Sequence, residues 1–220
     1  AARRAVRRIL RPAVSRLAFV TPGGAARLER VLSRVPRLRH GALARRARTL
    51  DRAMQLVAGT PSEVALPLAY WQSAMPDGGA ELDPARDGCG LIWYPPLVPM
   101  TAERVMRYVA MVGEVCAAHR IEPLITLTSL SERCFDSSVP LLFDRSDPIA
   151  AARARSCYRA LLERGRREGF LPYRLSAHEM GWLTGGAAPC WDLAAAIKSA
   201  VDPAGIIAPG RYIPLRPAAG

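Results

Sequence analysis

The tightest constraint on this chain is an alternation of apolar segments between residues 89 and 176, where two helix-like stretches separate four strand-like ones. Leu91 to Val98 is apolar and follows the turn pair Asp87-Gly88, which predicts a buried strand. Thr101 stands as an N-cap, and Val105, Tyr108, Val109, Val112 and Val115 recur after it at helical spacing. Pro123 to Leu130 and Ser138 to Phe143 read as further strands. Asp147-Pro148 opens a long helix that Gly169 ends, and Leu171 to Ser176 reads as the last strand. The order β-α-β-β-α-β predicts an α+β fold of the ferredoxin-like, split βαβ kind, an antiparallel sheet with both helices on one face. Such a fold hosts unrelated activities, so function must come from particular residues.

On either side the pattern is less regular. Val6, Ile9 and Leu10 among Arg3, Arg4, Arg7, Arg8 and Arg11 predict a short amphipathic helix that Pro12 stops. Val14 to Val20 is expected as a strand, Leu28, Val31 and Leu32 mark a helix, and residues 35–48 resist assignment. Leu50, Met54 and Val57 mark the next helix, and Thr60 with Glu63 predicts a capping box for one running towards Trp71. Residues 74–90, rich in Gly, Pro and Asp, form the longest expected loop. Near the end, residues 189–200 predict a helix with Leu193, Ile197 and Ala200 inward. It leads to a turn at Asp202-Pro203-Ala204-Gly205 and a buried run at Ile206-Ile207. On these residues alone a turn that plugs a core is the preferred reading; the other is that Pro209-Gly210 lets backbone approach something flat, with the donor fork of Arg211 beside it.

The net charge of +12 is unevenly placed: residues 1–50 hold fourteen Arg against a single acid, Glu29, which leaves −1 for the remainder. Basicity confined to one end, without interleaved aromatics or a known binding module, argues against nucleic acid and membrane surfaces as partners. A solvated basic face accounts for these arginines, and an acidic partner is the alternative. Cys89, Cys116, Cys134, Cys157 and Cys190 are scattered singles, so neither a metal site nor a disulfide framework is expected, and a reducing compartment is the default. No run approaches the roughly 18 apolar residues that would cross a bilayer, so the chain is expected to be soluble and cytoplasmic, with the periplasm open. It begins without Met, which suggests a processed chain or a fragment.

Candidate chemistry centres on Pro172-Tyr173-Arg174. A phenol beside a guanidinium suits an anionic oxygen, one giving a hydrogen bond and the other a permanent charge. Neighbours on a strand point to opposite faces, so the two can share a site only at a strand end or bend, which Pro172 makes plausible. Trp93 and Tyr94 could stack on a ring or simply pack a core. His178 beside Glu179 has no nucleophile at a recognisable spacing, Cys134 and Cys190 lack a nearby base, and no glycine-rich phosphate loop occurs.

Taken together, Asp87-Gly88-Cys89-Gly90-Leu91-Ile92-Trp93-Tyr94-Pro95-Pro96, Tyr173-Arg174 and residues 201–211 resemble the C-terminal half of the vanillyl-alcohol oxidase and p-cresol methylhydroxylase flavoproteins. The resemblance covers about residues 50–213, and less clearly the rest. It implies an Arg-rich start of a cap domain over residues 1–50, the cap, or substrate, domain over 51–170, and a C-terminal segment over 171–220 that joins an FAD-binding domain. It implies FAD-linked oxidation of a 4-substituted phenol through a quinone methide, with Tyr173 and Arg174 on the phenolate and Pro209, Gly210 and Arg211 at the flavin. Trp93, Glu132 and Asp136 are candidates for the substrate pocket, one of the acids as a proton acceptor. Residues 132–139 lack the His or Tyr that tethers FAD in some members, so non-covalent FAD is expected. An N-terminal FAD-binding half in the same or a separate chain is implied, while a homodimer and a cytochrome acceptor remain open. Oxidation of a 2-hydroxy acid, or a non-catalytic binding module, are the alternative readings.

Overall fold

The computed structural model describes residues 2–15, 17–37, 40–76, 81–186 and 188–213. The chain divides into two compact units, Ala1–Tyr70 with Ala74–Pro84, and Trp71–Ser73 with Ala85–Gly220.

The first unit is helical. α1 (Ala2–Leu10) buries none of its residues, and the guanidinium groups of Arg3 and Arg7 lie 5.7 and 5.4 Å from the centroid of the Phe19 ring. The described residues of the stretch 14–20 form no strand, and the described residues of the unit hold no other strand for them to pair with. α2 (Pro22–Arg34) starts where Pro22 needs no N–H partner and the Thr21 hydroxyl accepts from the Gly24 N–H at 3.1 Å. It packs on α3 (Ala42–Val57) through Leu32, Ala44 and Ala47. α3 thus begins well before Leu50, the first residue that marks it in the sequence, its first turns facing α2 with small residues that carry little apolar signal. The expected capping box at Thr60 does not form. Glu63–Gln72 is a 3₁₀ helix with Pro67 inside it, and a proline there denies an α-helical ladder both its N–H and its space. Residues 77–80 of the expected loop lie outside the described residues.

The second unit is built on an antiparallel sheet of β1 (Cys89–Tyr94), β2 (Leu97–Pro99), β3 (Thr126–Ser129) and β4 (Cys134–Asp144). Tyr94 faces Val139 and Leu97 faces Asp136, so β1 and β2 keep one register against β4 and form one strand interrupted at Pro95-Pro96. β3 lies on the other side of β4, with Leu127 opposite Ser137. β4 begins at Cys134 rather than Ser138 because its first half pairs on both sides. β3 begins at Thr126, three residues after Pro123. The expected last strand shrinks to a bridge between Pro96 and Pro172, flanked by Leu97 N–H to Leu171 C=O at 2.9 Å and Tyr173 N–H to Pro95 C=O at 3.1 Å. Pro95, whose carbonyl already accepts from Tyr173, has no N–H to give back, so that ladder stops as soon as it starts.

α4 (Ala102–Ala118) and α5 (Pro148–Glu168) cover the face that carries Ile92, Tyr94, Val98, Phe135, Val139 and Leu141. Thr101 caps α4 by accepting from Arg104 N–H at 3.3 Å, Asp147 caps α5 by accepting from Ile149 N–H at 2.8 Å, and Gly169 ends α5 with φ 79°. Two buried phenols tie the layers together. Ser137 Oγ donates to Thr126 C=O at 3.0 Å, so the Tyr108 hydroxyl, 2.7 Å away, donates to Ser137. Tyr94 donates to Phe170 C=O at 3.3 Å, and burial raises the pKa of both phenols. Cys116 of α4 and Cys157 of α5, distant in sequence, are both buried in the core between the two helices. On the opposite sheet face Leu91, Trp93 and Leu97 remain 36–37% exposed.

A short helix, α6 (Met180–Thr184), precedes α7 (Pro189–Val201), whose orientation reverses the expectation. Leu193, Ile197 and Ala200 face outward, and so do Ile206 and Ile207. The inward face carries Ala195, and Lys198 lies on it because its ammonium is held by Asp202 and by Ile207 C=O, which fixes the rotation of the helix. No helix of the described residues is long and apolar enough to cross a membrane.

Candidate functional site

Tyr173 is the last residue of the edge segment to bond to the sheet, and beyond it the backbone turns away. The strand-end condition for a shared site is therefore met. The Arg174 guanidinium lies 5.5 Å from the centroid of the Tyr173 ring, and both side chains are exposed. A guanidinium at that range from a phenol ring is held by the ring's negative face while its N–H fork stays available.

Arg174 also lines a cleft of about 860 Å³ at the uncovered outer edge of β1. Pro95 C=O and Leu97 N–H point towards residues 171–173, so the backbone groups of Leu91 and Trp93, in step with them by twos, point the same way. With no strand beyond Pro172 to meet them, they open onto the cleft. Leu91 and Trp93 line it from the strand edge and Phe143 from the side that α5 covers, while Arg155 and Arg159 of α5 flank it with Arg174 and Arg211. Its single carboxylate is Glu179, 3.7 Å from Arg159. Tyr158, between the two α5 arginines, is 4% exposed, and its pKa is pushed up to about 12 by burial first and by the charge of Glu179 second. It therefore stays a neutral hydrogen-bond donor at physiological pH.

The C-terminal segment reaches this cleft through a well-anchored turn. Asp202, 6% exposed, accepts the Lys198 ammonium and the N–H groups of Ile206 at 3.2 Å and Ile207 at 3.0 Å. The Lys198 contact and then these amides hold its carboxyl below the usual carboxylate range. Gly205, at φ 64°, returns its N–H to Asp202 C=O at 3.0 Å. Farther on, Tyr212 Oη accepts from Leu175 N–H at 3.2 Å, which fastens the chain end to the strand exit and leaves Arg211 in the cleft. Ala208, Gly210 and Tyr212 all have positive φ, of 43°, 72° and 56°; Gly210 alone adopts it without strain.

The structure thus brings Trp93, Arg174 and Arg211 into one cleft, with the Tyr173 ring against Arg174 and with Pro209 and Gly210 adjoining Arg211. Glu132 and Asp136 do not line it. Glu132 is exposed in the loop between β3 and β4. Asp136 faces Leu97 and Thr128, while Trp93 faces Pro140, four residues along β4 and about 13 Å away. One Asp136 carboxylate oxygen is buried without a hydrogen-bond partner. Arg155, Tyr158, Arg159 and Tyr212 were not singled out in the sequence. The i, i+4 spacing of the two arginines was visible there, but not the face of α5 on which it falls.

No family model matches the chain. Over 213 residues, 96% of its length, the chain is 37% identical to the 1'-carboxy-chondrochloren decarboxylase of Chondromyces crocatus, of which it covers 39%. Over 158 residues, 71% of its length, it is 27% identical to the 4-cresol dehydrogenase (hydroxylating) flavoprotein subunit of Pseudomonas putida, of which it covers 27%. The crystal structure of p-cresol methylhydroxylase with substrate bound superposes with a TM-score of 0.62 at 26% identity, over 75% of this chain and 30% of that one. The 4-ethylphenol oxidase of Gulosibacter chungangensis, in its isoeugenol complex, superposes with a TM-score of 0.65 at 20% identity over 82% and 32%, a likeness of fold.

Proposed function

Because the chain is related to part of the vanillyl-alcohol oxidase and p-cresol methylhydroxylase flavoproteins, we propose that it is the substrate-binding portion of an FAD-dependent oxidoreductase acting on 4-substituted phenols. The observation that carries this reading is the Tyr173-Arg174 pair at the strand exit, its guanidinium directed to a cleft with an aromatic lining. Edge segment, β1–β2, β4 and β3 follow one another across the sheet, all antiparallel, which is the order expected of a split βαβ cap and supports that finer description.

The residues near the chain end are compatible with a flavin. Gly210 offers backbone without a side chain, and Arg211 meets no carboxylate among the described residues, so an electron-rich ring edge would be suitably met by Pro209, Gly210 and Arg211. FAD, when bound, would supply the two-electron acceptor for hydride leaving the benzylic carbon, and the phenolate, its proton already given up to solvent, would be left as a neutral quinone methide open to water. The protein's own share is electrostatic. Tyr173 O–H and the Arg174 charge stabilise the phenolate oxygen, which raises electron density at the para carbon and favours hydride departure. Residues 132–139 offer neither His nor Tyr, which supports non-covalent FAD. The outward apolar residues of α7, Leu193, Ile197 and Val201, together with Ile206 and Ile207, support the presence of an FAD-binding portion against the C-terminal segment.

The test is anaerobic flavin reduction by 4-ethylphenol in the full-length protein. Tyr173→Phe and Arg174→Ala should each slow it by roughly ten- to a thousandfold, the scale of removing an oxyanion donor. Unchanged rates in both variants would overturn the reading. The 37% identity to a decarboxylase favours a second one, in which the bond to a substrate carboxylate breaks, carbon dioxide leaves and the carbon takes up a proton. Release of carbon dioxide from such a substrate would distinguish it.

A further inference from the structure

The phenol reading assigns one arginine of the cleft to the phenolate and one to the flavin, and leaves Arg155 and Arg159 without a task. We propose that these two form a carboxylate subsite, so that the preferred substrates are phenols carrying a carboxylate beyond the ring. The proposal rests on Arg174 being the phenolate residue.

Arg155 and Arg159 are one turn apart on α5 and present the same face to the cleft. Tyr158, buried beside them and held protonated, adds a neutral donor that an oxyanion can accept from. Glu179 offsets one of the four cationic charges, at 3.7 Å from Arg159, and the cleft remains cationic by three. A phenolate would neutralise one of these, and an electron-rich ring edge beside Arg211 would occupy another without cancelling it. A substrate with a single anionic oxygen therefore leaves Arg155 without an anionic partner among the described residues, and Arg159 with Glu179 alone. A carboxylate supplies that partner and matches the planar fork of a guanidinium with two parallel hydrogen bonds. The apolar lining from Leu91, Trp93 and Phe143 suits the ring and alkyl chain that would join the two anionic ends.

The experiment is calorimetric titration of the full-length protein with 3-(4-hydroxyphenyl)propanoate, its methyl ester and 4-propylphenol, which reads binding without turnover. The carboxylate should bind at least about tenfold more tightly than the ester, the scale of hydrogen bonds to a charged group. That preference should shrink as salt rises from 20 to 500 mM. Arg155→Gln with Arg159→Gln should abolish the preference while 4-propylphenol binding is kept, which also shows the variant to be folded. Arg155→Gln alone should already reduce it. Equal affinities for acid and ester, a preference that survives the double substitution, or failure of all three ligands to bind would each overturn the subsite. Flavin reduction by 4-propylphenol separates the two proposals. If it proceeds without a carboxylate preference, the subsite alone falls; if the carboxylate is preferred but no phenol reduces the flavin, the oxidation reading alone falls.

Discussion

Gly165 sets how closely α5 can lie on the sheet, and replacing it with alanine shows how much the packing depends on that. A Cβ at this position would overlap Tyr94 Oη and stand 2.9 Å from Phe170 C=O, the two atoms that share a buried hydrogen bond. Two unfavourable terms follow. Overpacking a close-packed interior costs about 1–3 kcal/mol. If the tyrosine moves aside, a buried carbonyl loses its donor, for about another 1–3 kcal/mol. Against these stands the helix preference of alanine over glycine, about 1 kcal/mol. The net is a loss of about 1–5 kcal/mol, and urea unfolding followed by tryptophan fluorescence would show it as a lower midpoint at unchanged slope. Gly113→Ala on α4 is the control. Nothing lies within 4 Å of its added Cβ, so it should be neutral or stabilise by up to about 1 kcal/mol. Tyr94→Phe removes the clashing hydroxyl, so Tyr94→Phe with Gly165→Ala should be less destabilised than the sum of the single changes. The reasoning is refuted if Gly165→Ala behaves like Gly113→Ala, or if the double variant is additive.

Two further outcomes follow from the C-terminal segment and its surroundings. The Asp202 carboxyl is held below the usual range, so its contribution is present above the ordinary Asp pKa of about 3.9 and is lost as pH falls through the lowered value. Protection of the Ile206 and Ile207 amides relative to free-chain exchange should therefore fall as pH drops through that lowered value, and Asp202→Asn should show little protection already at pH 7; full protection in the variant would contradict the anchoring role. Non-covalent FAD should leave the polypeptide on denaturation, so flavin fluorescence persisting with the protein band in a denaturing gel would refute that expectation.

Much of the second unit was legible because its signals are local. Thr101, Asp147 and Gly169 act at helix ends within a few residues of themselves, and all three do so as the sequence indicated. Tyr173 and Arg174 are neighbours in the chain, but the end of the pairing beside them is set by Pro95, which has no N–H to extend it and lies far away in sequence. What the sequence misled on depends on partners. The apolar spacing of Leu193 and Ile197 is real, but which side of α7 turns inward is decided by the Lys198–Asp202 pair, in which two charged groups satisfy each other on the buried face. The strand expected over 14–20 has no neighbouring strand among the described residues of its unit, and the helix expected from Thr60 failed because Pro67 outweighs the capping signal. Arg155 and Arg159 became visible only when Pro95 and Pro172 left one side of β1 open beside α5.

That open side has a bearing on how the chain behaves in solution. Leu91 and Trp93 direct unpaired amide groups outward from an edge with large apolar side chains, and such an edge can template pairing with a second copy. Pro95 limits the damage: it has no N–H to offer, and its carbonyl is already taken by Tyr173. Self-association started there would be confined to two outward-facing residues, too short a seam to propagate as a continuous sheet. The proline pair that interrupts the strand thus also serves as a stop against aggregation, at the price of the very gap into which a ligand can fit.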